Sequence, residues 1–275
     1  SVLRTGPPPM TPELHRAAHD ITATLLDAHH VVVLSGAGIS TESGIPDFRG
    51  PNGLWTKNPG AEKTATLQHY VASRDVRVQA WRNRVDAKFW TAEPNAGHRA
   101  LVTIERALGD RFGLLITQNI DGLHHAAGSD PARVVEIHGN VREVKCLECA
   151  YRAPMAVALD RVRAGDDDPA CPECGGILKS ATISFGEQLV EADLLRCQQH
   201  AQRADVFVTL GTSLGVYPVA ALPEIAVRRG ASLVVCNAEP TPFDTLASVR
   251  SDLPLGTLLP AVADRFGIPD PNSRI

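Results

Sequence analysis

The chain alternates short apolar runs with stretches whose apolar residues recur at helical spacing. Leu14, Ala17, Ala18, Ile21, Leu25 and Leu26 mark one amphipathic helix within residues 11–30. His30-Val31-Val32-Val33-Leu34 follows, short and β-branched, and breaks at Ser35-Gly36-Ala37-Gly38. An uninterrupted apolar run of that length reads as a strand buried on both faces of a parallel sheet. Three more segments share this grammar: Gly113–Thr117 before Gln118-Asn119, Val206–Leu210 before Gly211-Thr212-Ser213, and Leu233–Cys236 before Asn237. Helical stretches at 96–109, 191–203 and 216–230 separate them. Strands alternating with helices predict an α/β fold built on a doubly wound parallel sheet. Ligands of such sheets bind beyond the carboxyl ends of the strands. All four strands end there in glycine, amide or hydroxyl residues, so four polar loops converge on one expected crevice, which favours a nucleotide.

Two segments interrupt the alternation. Residues 57–93 are polar with interspersed aromatics (Tyr70, Trp81, Phe89, Trp90) and read as a helical module. Residues 141–179 carry four cysteines around a charged middle, Asp160 to Asp168, which reads as a loop. The doubly wound domain is thus expected to be discontinuous, over 11–56, 94–140 and 180–265, with a helical module at 57–93 and a cysteine-bearing module at 141–179.

At 275 residues with 44% hydrophobic content, the chain can bury one large core plus a smaller insert. A net charge of -4 gives no electrostatic reason to expect nucleic acid. No apolar run approaches the roughly 20 residues that span a bilayer, so no membrane partner is expected. The Pro-rich start, Ser1 to Met10, lacks a basic segment leading into an apolar one, so no secretory signal is read there and a cytoplasmic location is expected. Arginine far outnumbers lysine, which occurs only at 57, 63, 88, 145 and 179, a bias typical of GC-rich bacterial coding.

Of six cysteines, Cys236 lies in an apolar run and reads as a buried small hydrophobe. Cys146-x2-Cys149 and Cys171-x2-Cys174 are paired at zinc-ribbon spacing. Four thiolates close a tetrahedron and leave no position for water, so the metal, Zn2+, is expected to be structural. Gly175-Gly176 supplies the tight turn such a knuckle needs.

Gly36-Ala37-Gly38-Ile39-Ser40 through Gly44 departs from GxGxxG because its third glycine comes late. By itself it is equally a plain strand-to-helix turn. Its place directly after a strand adds weight, since glycines let backbone approach a pyrophosphate at a helix N-terminus. Gln118, Asn119 and Asp121 could bind ribose hydroxyls and an amide, or simply cap a turn. His138 precedes the cysteine module, and histidine suits proton transfer near neutrality, although the chain has nine others. His98 reads as structural.

Taken together these motifs resemble the sirtuin family of NAD-dependent protein deacylases. The likeness rests on Gly36–Ser40 through Gly44-Ile45-Pro46-Asp47-Phe48-Arg49, on Thr117–His124, and on Glu136-Ile137-His138-Gly139-Asn140. Both CxxC pairs, Phe185-Gly186-Glu187, Gly211-Thr212-Ser213-Leu214 and Asn237 extend it, covering about 20 to 265 in order. The resemblance implies a Rossmann-like domain with inserted zinc-ribbon and helical modules, NAD as consumed co-substrate, and acyl-lysine proteins or peptides as partners. It implies that His138 is the general base and Asn119 a second catalytic residue. NAD would be held by Gly36, Ala37, Gly38, Ile39, Glu42, Asp47, Phe48, Arg49 and Trp55, by Gln118, Asn119, Ile120 and Asp121, and by Gly211, Thr212 and Ser213. Asn237, Ala238, Glu239 and Leu255 would complete the adenosine side. Phe185, Gly186 and Glu187, with Gly215 and Val216, would sandwich the peptide as an added strand. A monomer is expected.

The chain departs from the family where Ser180–Ser184 stands in place of the usual Pro after Lys179, and where Val190 replaces another Pro. Gly50–Thr56 resembles the subgroup that includes nuclear long-chain deacylases, whereas Trp81 and Arg84 do not match the Tyr/Arg pair of members acting on acidic acyl groups. Mono-ADP-ribosyl transfer and a non-catalytic NAD-sensing module are the alternatives; the presence of His138 and Asn119 favours deacylation. A zinc-containing dehydrogenase would require GxGxxG and an acidic residue about 20 positions on, and neither is found.

Overall fold

The computed structural model describes residues 10–47 and 59–267. The side chain of Thr11 accepts the Leu14 amide at 3.1 Å, and Pro12 opens the first turn of α1 (Pro12–Leu26), two features that start a helix. In chain order there follow β1 (Val31–Ser35), α2 (Leu67–Ala72), α3 (Arg74–Val85), α4 (Ala96–Leu108), β2 (Phe112–Thr117), α5 (Leu123–Ala127) and β3 (Val134–Glu136). Next come β4 (Gly139–Cys146), β5 (Arg152–Pro154), α6 (Met155–Arg163), β6 (Leu178–Thr182) and α7 (Glu191–Arg203). The chain closes with β7 (Val206–Leu210), α8 (Leu222–Arg228), β8 (Ser232–Cys236), β9 (Val249–Ser251) and α9 (Leu255–Ala263).

Six strands form one sheet in the order β3-β2-β1-β7-β8-β9, and every pairing is parallel. The path runs outward from β1 to β3, then returns to β7 and proceeds the other way. The topological switch point therefore lies between β1 and β7, where open α/β sheets bind ligands. Every residue of β1 and β7 is buried, because helices cover both faces. Val31 and Val33 point into one core with Leu14, Ile21, Leu101, Ile104, Leu258 and Val262. Val32 and Leu34 point into the other with Cys197, Ala201, Leu222 and Ala226. That alternation is the two-residue period of a strand.

The four strands read from the sequence are joined in this sheet by β3 and β9, three residues each and too short to show periodicity. The stretch 216–230 is helical only from Val219 onward, with α8 limited to Leu222–Arg228. The loop expected at Asp160 to Asp168 is corrected: Asp160–Arg163 is the last turn of α6. Met155, Ala158 and Leu159 form the buried stripe of that helix, which puts the charged residues on its outer face.

A second, antiparallel sheet has the order β5-β4-β6 and its own core of Val144, Met155, Leu159, Leu178 and Trp81. Trp81 comes from α3, so the helical segment packs on this sheet. The Tyr70 hydroxyl donates to the Leu178 carbonyl at 2.7 Å, and Arg77 pairs with Asp168 at 2.9 Å.

Candidate functional site

The loops after β1 and β7 touch backbone to backbone at the switch point. The Gly36 amide donates to Leu210 O at 2.9 Å and the Gly38 amide to Gly211 O at 2.8 Å. A Cβ on Gly38 would lie 2.6 Å from the Gly211 Cα, and one on Gly211, where φ is +62°, would lie 2.7 Å from Gly38. These glycines are required by the approach of the two loops to each other. Ala37–Ile39 forms a single 3-10 turn, with Ile39 in the core.

Asn119 and Asp121 stand beside that contact, at the end of β2, 8% and 6% exposed. The Asn119 amide group donates to Gly36 O at 3.0 Å and to Ser40 Oγ at 3.2 Å. Ser40 Oγ in turn donates to Asp121 Oδ2 at 2.8 Å, and Asp121 Oδ1 accepts the Leu123 amide at 2.8 Å. Burial pushes the Asp121 carboxyl above its ordinary pKa, while those hydrogen bonds and Arg142 oppose the rise. Ser40 is thus the hub between the amide and the carboxylate.

Behind Ser40 sits His98, fully buried. Its Nδ1 accepts the Asn95 amide at 3.3 Å as the partner in the capping box of α4, so its proton is on Nε2, which faces Ser40 Oγ at 3.4 Å. Burial holds the ring down at about 4, and it stays neutral. His124 packs edge-on against it at 5.1 Å and meets Ser35 Oγ through Nε2 at 2.8 Å. The structural reading of His98 therefore holds, and Ser40, Ser35 and His124 join it as supports that spacing alone did not single out.

His138 follows β3. Its Nδ1 lies 3.1 Å from the Gln118 carbonyl oxygen, which can only accept, so Nδ1 carries the proton and Nε2 keeps its lone pair. Burial lowers the imidazole pKa, with the Gln118 hydrogen bond opposing, and the neutral ring prevails near pH 7. The Gln118 side chain accepts from Thr212 Oγ1 at 2.8 Å, tying β2 to β7 across the crevice. The Val141 amide closes on Ile120 O at 3.0 Å.

The remaining expected NAD residues spread around this centre. Glu42 Oε1 accepts the Gly256 amide at 3.0 Å, which places its carboxylate on the first turn of α9 beside Leu255, a favourable position for a negative charge. Asn237 turns its side chain onto Glu239 O at 2.8 Å, while Ala238, Glu239 and Ser213 are exposed and Asp47 is half-buried. Phe48, Arg49 and Trp55 lie outside the described residues.

On the expected peptide side, Phe185 bridges Thr66 in parallel, donating to Ala65 O at 2.8 Å and accepting the Leu67 amide at 2.9 Å. Gly186 has φ +81°. The Ile183 amide donates to His138 O at 2.7 Å. Gly215 is exposed and Val216 half-buried, and Val216 O accepts the Ala220 amide. Glu187 does not point into open space: its carboxylate is taken by Lys145 and Lys179.

The four paired cysteines converge. All four sulfurs lie within 4.8 Å of one another, with Cys146–Cys174 and Cys149–Cys171 each at 3.6 Å. A tetrahedral ion about 2.3 Å from each sulfur spaces them about 3.8 Å apart. The Glu148 and Gly176 amides donate to Cys146 and Cys174 sulfurs at 3.3 and 3.4 Å, as thiolate ligands require. The donor set fits a structural zinc.

A family model described as "Sir2 family" matches residues 36–218. The "NAD-dependent protein deacetylase 2" of Streptomyces coelicolor is 48% identical over 237 residues, 86% of this chain and 98% of that protein. The "NAD-dependent protein deacetylase 1" of Bradyrhizobium diazoefficiens is 40% identical, over 83% of this chain and 89% of its own. A solved Sir2 complex with a deacetylated p53 peptide and 3'-O-acetyl ADP-ribose superposes with a TM-score of 0.83 at 32% identity, covering 91% of this chain and 99% of that one.

Proposed function

This chain belongs to the Sir2 family, and on that premise we propose that it is an NAD-consuming protein-lysine deacylase. NAD supplies the electrophilic ribose carbon, its ADP-ribose part receives the acyl group and one water is consumed, so the products are free lysine, nicotinamide and O-acyl-ADP-ribose. The Rossmann-like segments 11–56, 94–140 and 180–265 bind NAD, with the modules at 57–93 and 141–179 flanking the crevice. Asn119 and Asp121 hold the nicotinamide ribose and its carboxamide; Ser40 keeps both in place. His138 takes a proton from a ribose hydroxyl through Nε2, and Phe185, Gly186, Gly215 and Val216 receive the peptide as an added strand.

The observation that supports this role for His138 is its hydrogen bond to Gln118 O. It fixes the tautomer whose free nitrogen is a base, on a ring that burial keeps neutral. We place the enzyme in the cytoplasm, where four thiols remain reduced for a metal. Among the described residues no helix is long and apolar enough to cross a membrane.

The test is to incubate the protein with NAD and a panel of acetyl-, propionyl- and longer acyl-lysine peptides, and to follow nicotinamide and O-acyl-ADP-ribose by mass spectrometry. Stoichiometric formation of both is expected. No nicotinamide release with any peptide overturns the reading, and accumulation of ADP-ribosylated protein replaces it with ADP-ribosyl transfer.

A further inference from the structure

Two of the chain's five lysines face each other. Lys145 on β4 and Lys179 on β6 are directly opposed in the antiparallel register, and like charges in that position repel. Lys179 is also buried, its side chain only 3% exposed. Within the sheet, Lys179 Nζ donates to the Ser180 and Thr182 carbonyls of its own strand, and the opposing charge comes from a residue outside it. The Glu187 carboxylate meets Lys145 Nζ through Oε1 and Lys179 Nζ through Oε2, the latter at 3.2 Å. Its Oε2 also accepts the Ser184 amide at 3.0 Å, and the Glu187 amide donates to Ser184 O at 2.9 Å. A single carboxylate thus bridges the lysine pair, offsetting one of its two positive charges, and closes the 184–187 turn.

That turn is where three parts of the molecule meet. Ile183 is hydrogen-bonded to the main chain of His138, and Phe185 to Ala65 and Leu67 of the helical segment. Glu187 supplies the third tie, to the zinc-side sheet. Only this third tie is made by side-chain charge.

We propose that Lys145, Lys179 and Glu187 form a clamp that positions the peptide-binding segment 183–187, so that Glu187 acts through the backbone around it and does not touch the substrate. The inference rests on the deacylase reading only for which ligand the segment serves. An ionised carboxylate can only accept, and three donors, Lys145 Nζ, Lys179 Nζ and the Ser184 amide, already take most of its roughly four acceptor positions. What the clamp sets is the height and angle of Phe185-Gly186, a segment already paired on its Thr66 side, so that an incoming strand would add on the other.

The test uses the zinc-loaded full chain and the variants Glu187→Gln, Lys179→Met and the two combined. Glu187→Gln keeps shape but leaves the two lysines repelling. Expected are a rise of about tenfold or more in the acyl-peptide KM, a kcat within about threefold of wild type, and unchanged NAD affinity and zinc content. Hydrogen exchange at the Ser184 and Phe185 amides should accelerate. The double variant removes the buried cation, so it should recover thermal stability without recovering peptide KM or amide protection. If the double variant restores both, the ions serve stability alone and the proposal is overturned; unchanged exchange and unchanged KM in Glu187→Gln overturn it as well. Should Glu187→Gln fail to fold, the double variant carries the same comparison against wild type and Lys179→Met. Accelerated exchange in a protein that turns over no acyl-peptide would leave the clamp standing and remove the deacylase reading.

Discussion

His138 Nδ1 donates to the carbonyl oxygen of Gln118 across 3.1 Å, which makes the imidazole an extension of the β2 strand end. The bond removes one tautomer and orients the basic nitrogen at no cost in side-chain freedom when substrate arrives. Replacing His138 by Ala should therefore lower deacylation by at least about 100-fold, the scale of general-base catalysis, while NAD affinity stays within about twofold. Isothermal titration with NAD and product formation at saturating peptide check the two halves separately. Turnover that survives the substitution would reassign the base.

The same ring sets a pH limb. Burial lowers its pKa below the ordinary 6.5, with the Gln118 bond only partly offsetting, and in the proposed role of base the ring must be unprotonated. Hence kcat/KM, which reports the free enzyme, should fall toward acid with a midpoint below 6.5. A midpoint above that value would mean another group titrates, or that the imidazole is more hydrated than its surroundings imply.

Gly38→Ala tests the contact at the switch point. The new Cβ would sit 2.6 Å from the Gly211 Cα, backbone against backbone with no flexible side chain to yield. The loops must separate, so a loss of about 1–3 kcal/mol in stability should accompany a weakened NAD affinity. Thermal melts and NAD titration of the variant read both; wild-type NAD binding would show that the loop contact and the cofactor site are uncoupled.

The main sheet was legible because buried parallel strands are written as unbroken apolar runs, as in Val31–Leu34 and Val206–Leu210, each followed by a loop residue that matters. The zinc ligands were legible because four cysteines at doubled CxxC spacing have few other uses. Ser40 was harder: a serine in a glycine-rich turn is common, and only the fold brings its hydroxyl between Asn119 and Asp121. The Glu187 clamp could not be read at all. Its partners lie 42 and 8 positions away by sequence number, and their opposition depends on the β4–β6 register, which no local pattern encodes. The helical end of α6 was missed because charged residues on its outer face mask the stripe of Met155, Ala158 and Leu159.

Lys179 gives a stability prediction of unusual sign. Burial, with Lys145 and Arg84 adding to it and Glu187 opposing, lowers its pKa from 10.5 to about 8. Between those values the unfolded chain holds a proton that the folded chain has released, so stability from this group rises with pH. Its cost is fully present below pH 8 and recedes above. Other buried groups titrate in the alkaline range, so the informative quantity is the difference between proteins. Relative to Lys179→Met, the wild type should gain thermal stability from pH 7 to 9.5; a flat difference would mean that the ammonium keeps its ordinary pKa through Glu187.

The metal's influence should be traceable along β4, which starts at Gly139, next to His138, and ends on Cys146. Cys146 and Cys174 then return the chain to β6, whose Lys179 and Ser180 pair with Lys145 and Val144. Without the ion, four sulfurs within 4.8 Å have nothing to hold them together, and the binding energy of the metal is folding energy for the module. Removing zinc, verified by elemental analysis, should lower the melting temperature and strip hydrogen-exchange protection from β4 to β6 first. The amides of β1 and β7, buried between two helical layers, should keep theirs. Deacylation should be lost with the zinc-side sheet, because both the main chain after His138 and the charges that hold Glu187 depend on it, and readdition of zinc should restore it. An apo-protein with unchanged melting and intact β4–β6 protection would show that the cysteine cluster is a passenger on a sheet stable by itself.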